Sequence, residues 1–173
     1  MKNLFKARWM TSLIFLIALF VITGIAGRLG FSVISVEKAM MNGEVGFGRK
    51  VLQAVEEFGL SFEHMPTGID TMCVVLSTAE LEPVKEQLTR RIWETTNPDT
   101  LTIHDNMGII ATVGRGMVHN PGTAARLFTA LSRYHINVRM IDQGSSELSI
   151  LVGVDSGEFQ QAILAIYDEF VSE

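Results

Sequence analysis

The chain has 173 residues and a mass of 19.1 kDa, which leaves room for one ordinary domain or two small ones and excludes a multidomain enzyme. Apolar residues make up 47% and charged residues 19%, so a core can form and wholesale disorder is excluded. The single cysteine, Cys73, excludes a disulfide framework, and no Cys/His cluster has the spacing of a zinc site. The sequence therefore predicts no cofactor and no metal.

Charge is distributed unevenly along the chain. Residues 1–27 carry three basic side chains and no acid, which leaves 11 basic against 19 acidic residues after them, a net charge of −8. Such an acidic surface repels phosphates. No nucleic-acid partner is expected.

The first segment is apolar. Residues 9–27, WMTSLIFLIALFVITGIAG, carry no charge and lie between Arg8 and Arg28. That length can just cross a bilayer. Three interpretations follow: a signal anchor, a signal peptide cleaved among the small residues 24–27, or an apolar stretch with no membrane role.

Periodicity after this segment predicts the order β-α-β-β-α-β. FSVISV at 31–36 is strand-like, and a Gly-rich interval opens a helix that Gly59 closes as a C-cap. Two strands follow at 60–65 and 69–77, then a helix over 80–93 with Pro83 in its first turn, and LTIHD at 101–105 as a closing strand. The first helix is expected to bury one face, formed by Val45, Leu52, Val55 and Phe58.

The same order returns about 77 residues later, which indicates an internal duplication. The strand MGIIATVG precedes a helix opened by Asn-Pro-Gly at 120–122, with Ala125, Phe128 and Leu131 expected on its core face. INVRMID and ELSILVGV supply two strands. The last helix spans 155–170, with Phe159, Ile163, Ile166 and Tyr167 expected in the core. The predicted fold class is α+β, with two tandem ferredoxin-like βαββαβ domains.

At this point the residues resemble a known family. NGEVGFGRKVLQAVEEFGLSFEHMPTGID at 42–70, VGRGM at 113–117, INVRMIDQGSSELSI at 136–150 and LAIYDEF at 164–170 are similar to the C-terminal tandem ACT domains of bacterial aspartokinases, of the lysine-sensitive type. The similarity runs from about Ile22 to the end. With the apolar N-terminal segment taken as 1–27, it implies a first ACT domain at 28–105 and a second at 106–173.

In that family the ACT pair senses an end product of the aspartate pathway and regulates a kinase domain that phosphorylates aspartate. That kinase domain, with its phosphate loop, is missing from this sequence. The resemblance therefore implies a non-catalytic chain, either a truncated gene product or a separate regulatory subunit.

Free amino acids present a carboxylate and an ammonium, so an ACT site must match both. Gly46, Phe47 and Gly48 begin a helix whose free N–H groups can hold a carboxylate, and they otherwise only permit a strand-to-helix turn. Glu63 and Asp70 are candidates to bind the ammonium, and the alternative is that they are solvated surface charges. Met41 is a candidate to cover the aliphatic part of a ligand, and the alternative is that it is a packing residue. No catalytic residue is predicted.

In the second repeat the resemblance implies an ACT interface or a completed effector site, and ordinary turn chemistry is the alternative. The candidate residues there are Asn137, Gln143, Ser145, Ser146 and Glu147.

The expected function is a cytoplasmic, dimeric regulatory region or subunit of aspartate kinase. It would bind lysine, or less preferably threonine, and a kinase chain is a further expected partner. The alternative is a membrane-anchored amino-acid sensor in which residues 9–27 span the bilayer.

Overall fold

The structure is a computed structural model that describes residues 21–171. Its helices and strands form two compact units. The first unit comprises residues 28–109 and 155–157, and the second comprises residues 21–27, 110–154 and 158–171.

The elements alternate as the sequence predicted. In chain order they are β1 (Gly24–Glu37), α1 (Phe47–Glu57), β2 (Phe62–His64), β3 (Thr71–Ser77), α2 (Thr78–Leu81), α3 (Lys85–Thr96), β4 (Thr100–Val113), α4 (Thr123–Arg133), β5 (Met140–Asp142), β6 (Ser149–Asp155) and α5 (Phe159–Val171). Short 3₁₀ turns lie at Met41–Gly43, Glu82–Val84 and Arg115–His119. The strand order is β2-β3-β1-β4-β6-β5.

Each unit has the ferredoxin-like arrangement. In the first unit β1 pairs antiparallel with β3, from Phe31 opposite Ser77 to Glu37 opposite Thr71. In the second unit the fourth strand is residues 24–27, the beginning of β1, and the Thr23 N–H donates to the Val113 carbonyl at 2.8 Å. The α+β class with tandem ferredoxin-like units is confirmed.

The internal duplication extends to matching lengths and burial. β1 and β4 both have 14 residues, and α1 and α4 both have 11. β3 and β6 show the same alternation of buried and half-buried positions. Since equal periodicity buries equal faces, both units have an apolar core between the sheet and two helices.

The two units also end their first helix in the same way. Gly59 lies in the left-handed region with φ of 67°, and the Leu60 N–H donates to the Val55 carbonyl at 3.3 Å. His135 has φ of 56°, and the Ile136 N–H donates to the Leu131 carbonyl at 3.1 Å. These are Schellman-type ends, so the predicted C-cap at Gly59 is confirmed.

Ion pairs tie the two helices of each unit together. In the first unit the Arg91 guanidinium on α3 donates to both carboxylate oxygens of Glu57 on α1, at 2.6 and 3.0 Å. In the second unit Arg133 on α4 donates to Glu169 on α5 at 3.0 Å. The acid lies on the first helix of the first unit and on the second helix of the second unit. Equivalent positions therefore carry an ion pair in which the acid and the base are exchanged.

Several side chains predicted for the core are exposed. Val45 is 97% exposed because it precedes the first turn of α1, whose buried face is formed by Phe47, Val51, Ala54 and Val55. Ala125 and Tyr167 also face outward, since the helical faces that meet the sheet are rotated from those expected.

Two element boundaries differ from expectation. The helix predicted over 80–93 is interrupted at Pro83, which lies in the 3₁₀ turn between α2 and α3. LTIHD and MGIIATV form one strand, β4, which continues through Asn106 with φ of 59°. The Asn106 carbonyl accepts bonds from the N–H of Ser156 at 2.8 Å and from its hydroxyl at 2.7 Å. The expected boundary at 105/106 thus falls within a strand.

The apolar segment at 9–27 ends inside the fold. Ile22 is buried in the core of the second unit, and the strand begins at Gly24. Residues 9–20 lie outside the described residues. Among residues 21–171 no helix has the length and apolar character needed to cross a membrane.

Candidate functional site

The loop between β1 and α1 is held in place by two carboxylates. The Met40 N–H donates to Asp70 Oδ1 at 2.8 Å, and the Ala39 N–H donates to Asp99 Oδ2 at 2.7 Å. The backbone carbonyl of Asp70 also accepts the Lys38 N–H at 2.9 Å. The loop that leads into α1 therefore has a defined conformation, with Met40 in the left-handed region at φ of 59°.

Two lysines meet one carboxylate in this loop. Lys38 Nζ and Lys50 Nζ each lie 2.6 Å from a carboxylate oxygen of Glu44. Hydrogen bonds from Lys38 and then Lys50 lower the pKa of Glu44. Lys38 Nζ also donates to the Thr96 carbonyl at 2.8 Å, so the loop is tied to the end of α3.

Helix α1 begins at a glycine in the left-handed region. Gly46 has φ of 81°, its carbonyl accepts the Lys50 N–H at 3.0 Å, and the Phe47 N–H donates to the Glu44 carbonyl at 3.2 Å. Among residues 21–171 no side chain caps this helix. An uncapped N-terminus with its positive dipole end is suited to a carboxylate.

Two predicted ligand residues belong to the core. Met41 is 5% exposed and Phe47 is 3% exposed, and both pack in the core of the first unit. Lys38 Nζ lies 5.7 Å from the centroid of the Phe47 ring, on its face. Both side chains are buried core residues, which favours the packing interpretation of Met41.

Gly48 has space for a side chain. A Cβ there would meet only Met72, with Sδ at 3.7 Å and Cε at 3.8 Å, which is ordinary van der Waals contact. The fold does not require glycine at this position.

The structure separates the two predicted acids. Glu63 lies on β2 between residues paired with Leu76 and Val75, whereas Asp70 immediately precedes Thr71 at the other end of β3. At the rise of a strand this places them roughly 18 Å apart along the sheet. Glu63 forms an ion pair with Arg28, and Asp70 alone of the two reaches the α1 loop.

The candidate site residues of the second unit are exposed. Asn137 follows α4, and the turn between β5 and β6 holds Gln143, Ser145, Ser146 and Glu147, all exposed. The turn is closed by the Glu147 N–H, which donates to the Gly144 carbonyl at 3.0 Å. These contacts are those of an ordinary turn. An interface or effector role for these residues stays a prediction.

Three residues that hold the α1 loop were not predicted: Lys38 and Glu44 within it, and Asp99 after α3. Each has a partner that the fold brings close, as with Asp99, whose carboxylate accepts the N–H of Ala39, 60 residues away in sequence. A signal for Asp99 was the turn that follows Pro98, which fixes an acid at the end of α3. Among the described residues no group of His, Cys, Asp or Glu has metal-site geometry.

A second polar cluster joins β1, β4 and α3 in the first unit. Ser32, which is fully buried, donates to Asp105 Oδ1 at 2.6 Å, and Lys85 Nζ donates to Asp105 Oδ2 at 2.7 Å. Hydrogen bonds from Lys85 and then Ser32 lower the pKa of Asp105, and that from Asp105 raises the pKa of Lys85. This cluster is charge-compensated and structural.

We expect the Asp105→Asn protein to lose less free energy of unfolding than wild type when the pH is lowered. Because the pKa of Asp105 is lowered in the folded state, its contribution is present above the ordinary carboxyl pKa and is lost as pH falls through the lowered value. Urea unfolding from neutral to acid pH measures this. Wild type should lose more stability on acidification than Asp105→Asn, and Glu80→Gln on α2 is the control. Equal losses in wild type and Asp105→Asn would contradict the assignment.

Comparison with known proteins agrees with this architecture. A family model for the ACT domain matches residues 110–170. Aspartokinase 3 of Bacillus subtilis is 42% identical over 150 residues, which cover 86% of this chain and 33% of that protein. The crystal structure of aspartate kinase from Clostridium acetobutylicum is 47% identical with a TM-score of 0.84, over 88% of this chain and 35% of that one. This chain is homologous to the tandem ACT region of aspartokinases.

The tandem ACT region spans about a third of each of these two relatives. A third structure, the regulatory subunit of aspartate kinase from Thermus flavus, is matched over 99% of its length and 87% of this chain, with a TM-score of 0.73. Its 19% identity shows a shared fold. The two chains therefore share their fold over almost the whole of the T. flavus subunit.

Proposed function

We propose that the tandem ACT region is a non-catalytic amino-acid sensor that regulates an aspartate kinase in the cytoplasm, and that lysine is its effector in preference to threonine. The observation that carries the proposal is the uncapped start of α1 at Gly46, next to a loop fixed by Asp70 and Asp99. The aspartate kinase of C. acetobutylicum, which is described as an important allosteric enzyme, supports a regulatory role.

In this proposal two parts of the first unit share the recognition of the amino acid. Backbone N–H groups in the first turn of α1 supply the carboxylate site, since a helix N-terminus favours an anion. Asp70 lies against the loop that leads into that turn and supplies the negative charge for an ammonium. Lysine carries two ammonium groups and threonine one, so an anionic partner favours lysine.

The test is calorimetric titration of lysine and threonine into wild type, Gly48→Ala, Asp70→Asn and Glu63→Gln. A charge-assisted hydrogen bond contributes roughly 1.5 to 3 kcal/mol, so Asp70→Asn should weaken lysine binding by about tenfold to a hundredfold. The asparagine carbonyl can still accept the Met40 N–H, so the loop should stay in place. Gly48→Ala should also weaken binding, because a Cβ hinders the approach of a carboxylate to the backbone.

Glu63→Gln is the matched control, because Glu63 lies at the far end of β3 and should leave lysine affinity unchanged. Thermal melts of all variants check the fold. Equal lysine affinity in all four proteins would make these positions structural, and binding of threonine alone would keep the sensor and reject lysine.

We also propose a homodimer formed through the ACT sheets, because β2 and β5 are edge strands with one side unpaired in the strand order. Sedimentation velocity should show a dimer at micromolar concentration. A monomer both with and without lysine would contradict this.

A further inference from the structure

The loop before α1 contains an Asn-Gly pair. Asn42 and Gly43 are the last two residues of the 3₁₀ turn Met41–Gly43, and both are exposed. Of the six asparagines in the chain, only Asn42 precedes a glycine. Asparagine is thermolabile, and a glycine after it lacks the Cβ that would crowd an attack on the asparagine side chain by the next backbone nitrogen. This pair is therefore the position in the chain that is most susceptible to deamidation.

Deamidation at such a pair is an intramolecular reaction. The backbone nitrogen of Gly43 attacks Cγ of Asn42, and the new C–N bond closes a succinimide ring while the side-chain nitrogen takes up the Gly43 proton and leaves as ammonia. Water then hydrolyses one of the bonds between the ring nitrogen and its carbonyl carbons. Hydrolysis at Cγ gives aspartate, and hydrolysis at the backbone carbonyl carbon gives isoaspartate, whose peptide chain runs through the former side chain. Both products carry a carboxylate where the amide was neutral.

The folded loop opposes this attack because it holds the nitrogen that must react. The Gly43 N–H donates to the Met40 carbonyl at 3.0 Å, and the Asn42 N–H donates to the Ile69 carbonyl at 3.2 Å. Ring closure requires the Gly43 nitrogen to turn toward the Asn42 side chain, which breaks the first of these bonds. The reaction therefore proceeds through a locally opened turn.

Two carboxylates hold the residues that lead into the turn. Asp99 accepts the Ala39 N–H at 2.7 Å, and Asp70 accepts the Met40 N–H at 2.8 Å. Both bonds are made to charged acceptors, which makes them stronger than ordinary backbone hydrogen bonds. The two carboxylates thus keep the turn closed and protect Asn42.

We propose that Asn42 is a spontaneous modification site, at which deamidation through a succinimide gives isoaspartate, and that the Asp70 and Asp99 contacts set its rate. Isoaspartate adds a methylene group to the backbone between residues 42 and 43. The hydrogen bonds of the Asn42 and Gly43 N–H groups cannot both re-form across the longer backbone. The loop that leads into α1 then loses its defined conformation.

The modification has a consequence for the amino-acid site, and this consequence rests on the proposed function. The loop places the first turn of α1 beside Asp70, so its displacement separates the two parts of that site. The isoaspartate form should bind lysine more weakly by about tenfold or more, as expected when a charge-assisted contact is lost. Chains that have been modified would no longer respond to lysine.

Peptide mass spectrometry of the full chain, incubated at mildly alkaline pH, tests the modification, and enzymatic methylation quantifies isoaspartate. We expect isoaspartate at residue 42 and far less at Asn137, which is exposed but precedes the β-branched Val138. Gly43→Ala is the matched variant, because among residues 21–171 its Cβ would meet no atom within 4 Å, and it should suppress the reaction. No isoaspartate at residue 42, or an equal rate in Gly43→Ala, would overturn the proposal.

Two rate comparisons test the protection by the loop. Asp99→Ala removes the acceptor of the Ala39 N–H and should raise the rate about two- to tenfold, from the net contribution of one hydrogen bond. Wild type unfolded in urea should react faster still, and this measurement does not depend on the folding of a variant. Equal rates in folded and urea-unfolded wild type would show that the loop contacts do not set the rate.

Limited proteolysis and calorimetry test the loss of loop conformation. Ion exchange separates deamidated chains from unmodified ones, and Asn42→Asp supplies the same charge without the added methylene. Trypsin should cut after Lys38 faster in the isoaspartate form than in Asn42→Asp, and of the two only the isoaspartate form should bind lysine more weakly. Equal cleavage would overturn the loss of conformation. Failure of the unmodified chain to bind lysine would reject the proposed function, whereas the mass spectrometry decides the modification independently.

Discussion

Replacing Gly114 with alanine is expected to lower the free energy of unfolding by about 3 kcal/mol or more, at or beyond the upper end for overpacking. A Cβ at this position would lie 2.0 Å from the carbonyl oxygen of Val21 and 2.8 Å from the Cα of Ile22. Both obstacles are backbone, so a change of side-chain rotamer cannot relieve the clash. The relief available is displacement of residues 21–23 from the second unit, which would expose the buried Ile22 side chain.

Urea unfolding measures this effect, with Gly144→Ala as the control. Gly144 is a glycine of the same unit, and the nearest atom to an added Cβ there is Ser146 Oγ at 4.0 Å. A Gly114→Ala protein as stable as the control would mean that residues 21–23 do not lie against this turn.

Replacing Gly27 with alanine should lower the free energy of unfolding by about 1 to 3 kcal/mol, again through overpacking. The added Cβ would lie 2.7 and 2.9 Å from two atoms of the Phe159 ring and 3.1 Å from Ile163 Cδ1. Because Phe159 is 8% exposed and packed in the core, the ring has little room to turn away.

A double-mutant cycle separates this clash from other effects of the substitution. Phe159→Leu alone should be destabilising, because it removes part of a buried ring. Combined with Gly27→Ala, it should recover much of the loss, since the smaller side chain leaves space for the Cβ. Strict additivity of the two changes would refute direct contact between Gly27 and Phe159.

The sequence predicted the features of the fold that depend on residues close together in the chain. Gly59 ends α1 because a left-handed position favours glycine, and the apolar periods of β3 and β6 identified strands with matching burial. The expected boundary at 105/106 divides a strand, because nothing in the sequence shows that Ser156 hydrogen-bonds the Asn106 carbonyl there. The continuity of β4 depends on that distant contact.

In the candidate site, too, local features could be predicted from sequence and contacts between distant segments could not. The glycines at the start of α1 could be recognised from sequence, since their role is local. The separation of Glu63 from Asp70 could not, because it depends on the register between β2 and β3. Nor could the contact between Asp99 and the Ala39 N–H, which joins two distant loops. Charge identified candidate acids, and strand register decided which of them reach the loop.

The origin of the fourth strand in the second unit sets an order for folding during synthesis. Residues 24–27 are synthesised before most of the second unit, and the helix that packs on them ends at Val171. At elongation rates of about 5 to 20 residues per second, this strand is synthesised roughly 7 to 30 s before that helix is complete. Over that interval residues 28–109 can form most of their own unit, while residues 24–27 have no partner strand. The second unit thus has high contact order, and a circular permutant that links residue 171 to residue 24 should fold it faster.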